Sequence, residues 1–557
     1  MKKELITGII SLIVCFGCTT PKALLLDTTA VTNIQKTTFA DIENWHLKDI
    51  INDTIPGISM VRACEFLKDK KIKDSVIVAV LDMEVAIDHK DLKNQIWINK
   101  GEIANNGLDD DGNGYVDDVH GWNFLGNSNG DNNIYVNYEY TRIIKKFNEQ
   151  FQGKKIEQIK VKKQQEFLTY RRALKKHKER YQYGIKEKEN ADFLYHSYYE
   201  ALDKLSSYFP KKDFNLKSLD SLDQIIPDKE EKLKFNIITL QDCLKYNITE
   251  DYIKNEKHVA DERMTKLLDT SYNDRLIQQD DPFNLLDTDY GNHIVNGNIN
   301  ILDHGTLVSG VISASIPNEI VAEEFSSNIK IMPLCISAYG DEHDKDIVLA
   351  IRYAVDNGAK VINMSFSKEF SLLEKEVLNA IKYAADHGVL IVKSAGNNSK
   401  DLDKLNNYNF PNDAKKGGNE IANNFIKVGA STNKVDKNLK NHSSNFGKKE
   451  VDVFAPSGFK STSTGPDLHE EFTGTSSSTP LVSSIAALLY SYYPHLSVSQ
   501  VKEIILNSGT LYHIDVEITQ DDGTKKMVPF SSLSKSGKIV NAYNALIMAD
   551  KIASQKK

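Results

Sequence analysis

Cysteine is nearly absent, with five in 557 residues. Cys15 and Cys18 fall in an apolar N-terminal stretch, leaving Cys64, Cys243 and Cys335 far apart, odd in number and without metal-type spacing. That argues against a disulfide framework and leaves three unpaired thiols. Excess positive charge is lacking too. With 69 Lys and Arg against 77 Asp and Glu the formal charge is −8, so nothing draws the whole chain to nucleic acid or to anionic lipid. No apolar run reaches the roughly 20 residues of a membrane span, and there is neither an internal repeat nor a long low-complexity linker. What remains is a globular composition, 40% hydrophobic and 9% aromatic, on a chain long enough for one large domain with insertions.

The first residues, MKKELITGIISLIVCFGCTT, join a short basic region to an apolar core and a small residue before Cys18. Residues 1–17 therefore read as a signal peptide that resembles a bacterial lipoprotein signal, with Cys18 as the acylated residue and 18–50 as a tail. The expectation is an exported, cell-envelope protein whose only membrane attachment is the lipid.

Further on, apolar strands alternate with helical patterns. The runs SVIVAVLD (75–82), KIMPLCI (330–336), KVINMSF (360–366), GVLIVKSAG (388–396) and FIKVGAS (425–431) are strand-like. DIVLAIRYAVDNG and SLLEKEVLNAIKYAADHG are helices that stop at Gly358 and Gly388. This alternation predicts an α/β fold, a parallel sheet flanked by helices, with active groups near the carboxyl ends of strands. Residues 139–280 differ: Lys, Glu, Gln and Tyr dominate, glycine is scarce and apolar residues recur at helical spacing, so an inserted, mainly helical region is predicted there.

Three short motifs carry chemistry. Asp82 ends an apolar strand, His304 stands in LDHGTLVSGVI where a helical pattern begins, and Ser476 stands in GTSSSTPLVSSIAALL, a hydroxyl run leading into a helix with Pro480 in its first turn. In this order they fit a nucleophilic triad: His304 takes the proton of Ser476 and Asp82 fixes the imidazole tautomer.

On these motifs the chain resembles the subtilisin-like serine proteases, the subtilases. HGT matches the family's His motif, GTSSSTP its nucleophile motif, and SAGNN the segment bearing its oxyanion-hole Asn. The resemblance implies catalytic roles for Asp82, His304, Ser476 and Asn397, packing roles for Ser477 and Ser478, and substrate contacts at Ser365, Ala395 and Gly396, where a peptide would add as a β-strand. It covers about residues 56–125 and 281–548, which makes 51–138 and 281–557 two parts of one catalytic domain around the insertion. It implies a serine endopeptidase acting on polypeptides through an acyl-enzyme, monomeric, without nucleic acid. No separate C-terminal domain is expected, and the stretch after Cys18 is too short for a folding prodomain. The sequence departs from the family at Met83 and Glu84, where Ser or Thr and then Gly usually follow the Asp, and at Leu307, Ser309 and Ser367. The alternative is a catalytically impaired subtilase serving as a peptide-binding or envelope scaffold protein.

A further loop, NNGLDDDGNGYVDDVHGWNF (105–124), sets oxygen ligands at alternate positions: Asp109, Asp111, Asn113, the Tyr115 carbonyl and Asp117. This predicts structural Ca²⁺, with Gly114 at the sharp turn, although His120 stands where an EF-hand has its bidentate Glu.

Overall fold

The computed structural model describes residues 31, 44–313, 328–465 and 468–555. Cys18 and the signal-like stretch lie outside the described residues.

The apolar runs form strands β1 (Val76–Asp82), β2 (Trp122–Asn123), β3 (Ile329–Cys335), β4 (Val361–Met364), β5 (Leu390–Ser394), β6 (Phe425–Ser431) and β7 (Val453–Pro456). An antiparallel pair, β8 (Phe459–Thr462) and β9 (His469–Phe472), follows. Then come β10 (Thr510–Leu511), the hairpin β11 (Asp515–Thr519) and β12 (Lys525–Pro529), and β13 (Lys538–Ile539). Among the described residues, nine strands make one sheet in the order β10-β13-β7-β6-β5-β4-β1-β3-β2, parallel except where β10 meets β13. The fold is α/β, as the alternation predicts.

The side-chain period of two divides the central strands between two cores. Val76, Val78 and Val80 of β1 face one way, with Val392 and Val428; Ala79 and Leu81 face the other, with Ile362 and Ile391. Both faces are covered by helices, which is why these strands are nearly continuous in apolar residues.

Helix α1 (Met60–Leu67) precedes β1. The insertion begins at α2 (Glu139–Phe151) and continues through α3 (Gln164–Lys204), α4 (Leu216–Ile225), α5 (Glu231–Lys245) and α6 (Glu250–Glu262). It has its own small core at the far end, around Leu205, Leu219, Leu222, Ile237 and Leu240. Its near end packs Tyr140, Phe151, Phe167 and Tyr170 with Phe370, which lies beyond β4. Buried polar contacts reinforce that junction: the Arg142 guanidinium donates to Glu139 at 2.7 Å and to the Asp341 carbonyl at 2.9 Å, and Arg275 pairs with Asp280 at 2.6 Å and Asp346 at 2.7 Å.

After the insertion, α7 (Asp303–Ser313), α10 (Thr475–Tyr492), α11 (Val498–Ser508) and α12 (Ala542–Gln555) join α1 on one face of the sheet, and α8 (Asp344–Asp356) and α9 (Glu374–Asp386) lie on the other. The last two end just before Gly358 and Gly388, the stops read from the sequence.

Candidate active site

Strand order brings the motifs together. Asp82 closes β1; beside it β4 runs on into Ser365; next to β4, β5 runs on into Ala395, Gly396 and Asn397. All lie at carboxyl ends of neighbouring parallel strands. His304 and Ser476 are each the second residue of a helix, α7 and α10, on the same face of the sheet.

His304 Nδ1 lies 2.6 Å from Asp82 Oδ1. That contact favours the tautomer with the proton on Nδ1 and leaves Nε2 as acceptor. The carboxylate is 1% exposed and also accepts the Met83 N–H at 2.8 Å, whereas the imidazole side chain is 35% exposed. Burial works to lower the pKa of His304, but the Asp82 carboxylate outweighs it, with Asp303 and Glu342 adding, so the pKa lies above its ordinary value. Glu342 itself is raised to about 7, by burial first and then by Asp341.

The first turn of α7 sits directly on the segment after Asp82. A Cβ at position 305 would fall 2.5 Å from the Glu84 carbonyl oxygen and 2.6 Å from that of Met83, so only glycine fits between His304 and Thr306. The departures at 83 and 84 thereby acquire a structural explanation. Met83 packs beside Leu125, Val136 and Ile301. Glu84 is fully buried, accepts from the Asn123 and Asn132 amides at 3.2 Å each and from the Asn298 N–H at 2.6 Å, and its pKa is raised by burial against those hydrogen bonds. It ties the catalytic-type Asp segment to the loop before α7.

Ser476 Oγ donates to the Ser365 carbonyl at 2.8 Å and not to His304. In return Ser365 Oγ donates to the Ser476 carbonyl at 3.1 Å. The sequence explains this second bond. Pro480 is the residue whose N–H would have bonded Ser476 O within the helix, and having none, it leaves that carbonyl free for Ser365. Pro480 stands sixth in α10, one turn beyond the first-turn place expected from the hydroxyl run. Ser477 and Ser478 are buried and donate to the Gly474, Ala455 and Pro456 carbonyls.

Asn397 accepts from the Thr475 N–H at 2.9 Å and from its hydroxyl at 3.0 Å, both through Oδ1. Gly474, at φ +80°, lets the chain turn under this side chain: a Cβ there would lie 2.9 Å from Asn397 Nδ2. The motifs do not announce this role of Thr475; its place between Gly474 and Ser476 is the one signal the sequence offers.

The acidic loop is arranged only partly as the spacing suggests. Asp109 and Asp111 converge with Glu102, their oxygens within 4.8 Å of one another. Glu102 lies before the loop, so alternate spacing could not find it. Asp117 is not in that group; its two oxygens accept the Asn106 and Gly107 N–H groups at 3.0 and 2.9 Å. Asn113 Oδ1 accepts the Tyr115 N–H at 2.8 Å, and the Tyr115 ring packs on Trp122 and Tyr353. The three converging carboxylates are hard oxygen donors that fit Ca²⁺, and Glu102 has a raised pKa, from burial first and also from Asp118 and Asp111.

With this geometry in view, the family model described as "Subtilase family" matches residues 73–532, which include Asp82, His304, Asn397 and Ser476. The chain belongs to the subtilase family. This subtilase is 33% identical over 241 residues to the cell wall-associated protease of Bacillus subtilis (strain 168), covering 42% of this chain and 24% of that protein. It is 31% identical over 209 residues to subtilisin DY of Bacillus licheniformis, covering 37% of this chain and 70% of the relative. Among solved structures, the crystal structure of a lanthipeptide protease aligns at 24% identity with a TM-score of 0.34, over 44% of this chain and 75% of that one. The subtilase thus spans about a quarter of the length of the cell wall-associated protease it matches.

Proposed function

We propose that this subtilase is a serine endopeptidase in which Ser476 attacks the scissile carbonyl, His304 moves the proton, Asp82 orients His304, and Asn397 with the Ser476 N–H receives the oxyanion. The observation that carries this reading is the 2.6 Å contact of His304 Nδ1 with a buried Asp82 carboxylate, on helix α7 beside the helix that starts at the nucleophile. Attack requires the Ser476 hydroxyl to turn from Ser365 O to His304 Nε2; such contacts commonly tighten only with substrate bound. His304 accepts that proton as the C–O bond forms and returns it to the leaving amine as the C–N bond breaks. Water then repeats the sequence on the acyl-enzyme, releasing the acid product and Ser476. A peptide lying along Ser365 on one side and Ala395 and Gly396 on the other would be held in extended form.

Ser476→Ala tests this directly. Cleavage of an unfolded protein substrate should fall by about 10⁴-fold or more, and a fluorophosphonate should label the wild type alone. Equal cleavage by both proteins overturns the protease reading and favours a peptide-binding scaffold.

Two further parts of the reading are supported by sequence. Export and lipid attachment at Cys18 rest on the N-terminal stretch, and radiolabelled fatty acid incorporated in the wild type but not in Cys18→Ala would test them. Structural Ca²⁺ rests on the donor chemistry of Glu102, Asp109 and Asp111; the ion would screen carboxylates that otherwise repel and would pin the loop to the segment before it.

A further inference from the structure

A cavity of about 250 Å³ opens between the segment after β4 and the segment Asn406–Asn409. Three of its lining side chains converge on Gly396: a Cβ there would meet Ser367 Oγ at 2.5 Å, Asn445 Nδ2 at 2.8 Å and Asn409 Nδ2 at 3.3 Å. Asn409 is held in place, since its Nδ2 donates to the Ala395 carbonyl at 2.9 Å and its Oδ1 accepts from the buried Lys393. The cavity is thereby separated only by these side chains from the wall of the peptide path formed by Ala395 and Gly396. Ser367, where glycine is common in the family, makes that wall polar.

The remaining wall comes from the insertion. Arg172 of α3 is clamped between two aromatic faces, its guanidinium carbon 3.6 Å from the Tyr408 ring centre and 4.3 Å from that of Phe370. This stacking fixes the plane of the guanidinium. Its hydrogen bonding is incomplete: Nη2 donates to the Glu369 carbonyl at 3.3 Å, and Nε is buried with no partner. The other cations of the cavity have carboxylate partners. Lys176 pairs with Glu369 at 2.7 Å, Lys368 with Asp344 at 2.8 Å, Lys400 with Asp521 at 3.6 Å and Lys175 with Glu179 at 4.0 Å. Among the described residues no carboxylate lies within ion-pair distance of Arg172, although Glu369 and Glu374 act on its charge from further away. A guanidinium whose plane is fixed by stacking, in a polar cavity of side-chain size whose lining carries five cations against two carboxylates, has a carboxylate as its complement.

We propose that Arg172 makes this cavity a receptor for an acidic side chain, so that the subtilase cleaves after glutamate or aspartate and the inserted helix sets that preference. The inference rests on the protease reading above. The insertion thereby completes a substrate pocket that the catalytic domain alone leaves open on one side.

A series of peptides identical except for Glu, Asp, Gln, Leu or Lys before the scissile bond, with kcat/KM measured on the full chain, tests the assignment. The wild type should favour Glu or Asp over Gln by about 10-fold or more, because a built polar site discriminates strongly against a ligand lacking its charge. Raised salt should narrow the ratio. In Arg172→Gln the ratio should collapse to within about 3-fold, with fluorophosphonate labelling of Ser476 retained, and Arg172→Lys should fall between. A wild-type preference for Leu or Lys, or a Glu/Gln ratio unchanged in folded Arg172→Gln, overturns the proposal while leaving the protease intact. If Arg172→Gln does not fold, the wild-type ratio and its salt dependence decide. No cleavage of any peptide together with no labelling of Ser476 overturns the protease reading itself, and this proposal with it.

Discussion

Asn397 and Thr475 are joined twice, the backbone N–H and the hydroxyl of Thr475 both donating to Asn397 Oδ1. Thr475 thus anchors the oxygen end of the amide, which under the proposed mechanism leaves the Nδ2 end to meet the developing oxyanion. Asn397→Ala should lower kcat by about 10²–10³ with little change in KM. Thr475→Val keeps the backbone bond and should cost less. Gly474→Ala places a Cβ against the amide and forces alanine into φ +80°, so it should lower kcat in the wild type. In the Asn397→Ala background the clash with the amide is gone and only the strain at φ +80° remains, so it should add less than in the wild type. Kinetics of the double mutant check this; independent, additive losses would show that Gly474 acts elsewhere.

The acid limb of kcat/KM should lie above the roughly 6.5 of an ordinary histidine. The sign follows from the neutral imidazole being the working base: carboxylates that stabilise the imidazolium raise its pKa, so activity appears only at higher pH. Asp82→Asn should move the limb down and reduce kcat by about 10⁴-fold. Glu342→Gln should move it down slightly, because Glu342 is among the groups that raise His304. Glu84→Gln should leave it in place, since the strongest acidic neighbours of His304 are Asp82, Asp303 and Glu342.

Glu84 should matter for folding instead. Glu84→Ala removes the acceptor for the Asn123 and Asn132 amides and the Asn298 N–H in a buried site. Each donor left without a partner costs about 1–3 kcal/mol. Urea unfolding should show a clear loss of stability, and an unchanged midpoint would mean that water replaces the carboxylate.

For the acidic loop, the melting temperature should rise with free Ca²⁺ and fall on chelation, as mass action requires of a ligand bound to the folded state. Asp111→Ala and Glu102→Ala should abolish that dependence. Asp117→Ala should lower stability with and without Ca²⁺, because its carboxylate holds the Asn106 and Gly107 N–H groups. A melting temperature indifferent to Ca²⁺ would mean that the carboxylates hold no such ion.

The alternation of apolar runs is sufficient to read β1, β3, β4, β5 and β6, because strands buried on both faces need apolar residues at nearly every position. Their order in the sheet is not readable, since crossover helices can carry a strand to either side. Ser476, His304, Asp82 and Asn397 are legible as candidates because each sits in a short motif. Thr475, Glu102 and the asparagines around Glu84 are not, because their roles depend on partners far along the chain. Glu84 shows the limit most clearly: at a strand end, sequence alone does not tell whether the next carboxylate turns to solvent, to the histidine or into the protein.

Strand β1 has β3 and β4 as its two neighbours, and both are encoded after the insertion. A nascent chain therefore carries Val76–Asp82 without either partner until Cys335 has been made. The inserted helices can fold during that interval from contacts among themselves, and their completion brings the insertion's two ends together, the Tyr138 N–H donating to the Leu267 carbonyl at 3.2 Å. Once that clasp closes, the loop separating β1 from β3 is far shorter in space than in sequence, and the entropy of joining them falls accordingly. Asp82 is synthesised before the insertion and Ser476 well after it, so the site is assembled only after its longest detour has already been folded away.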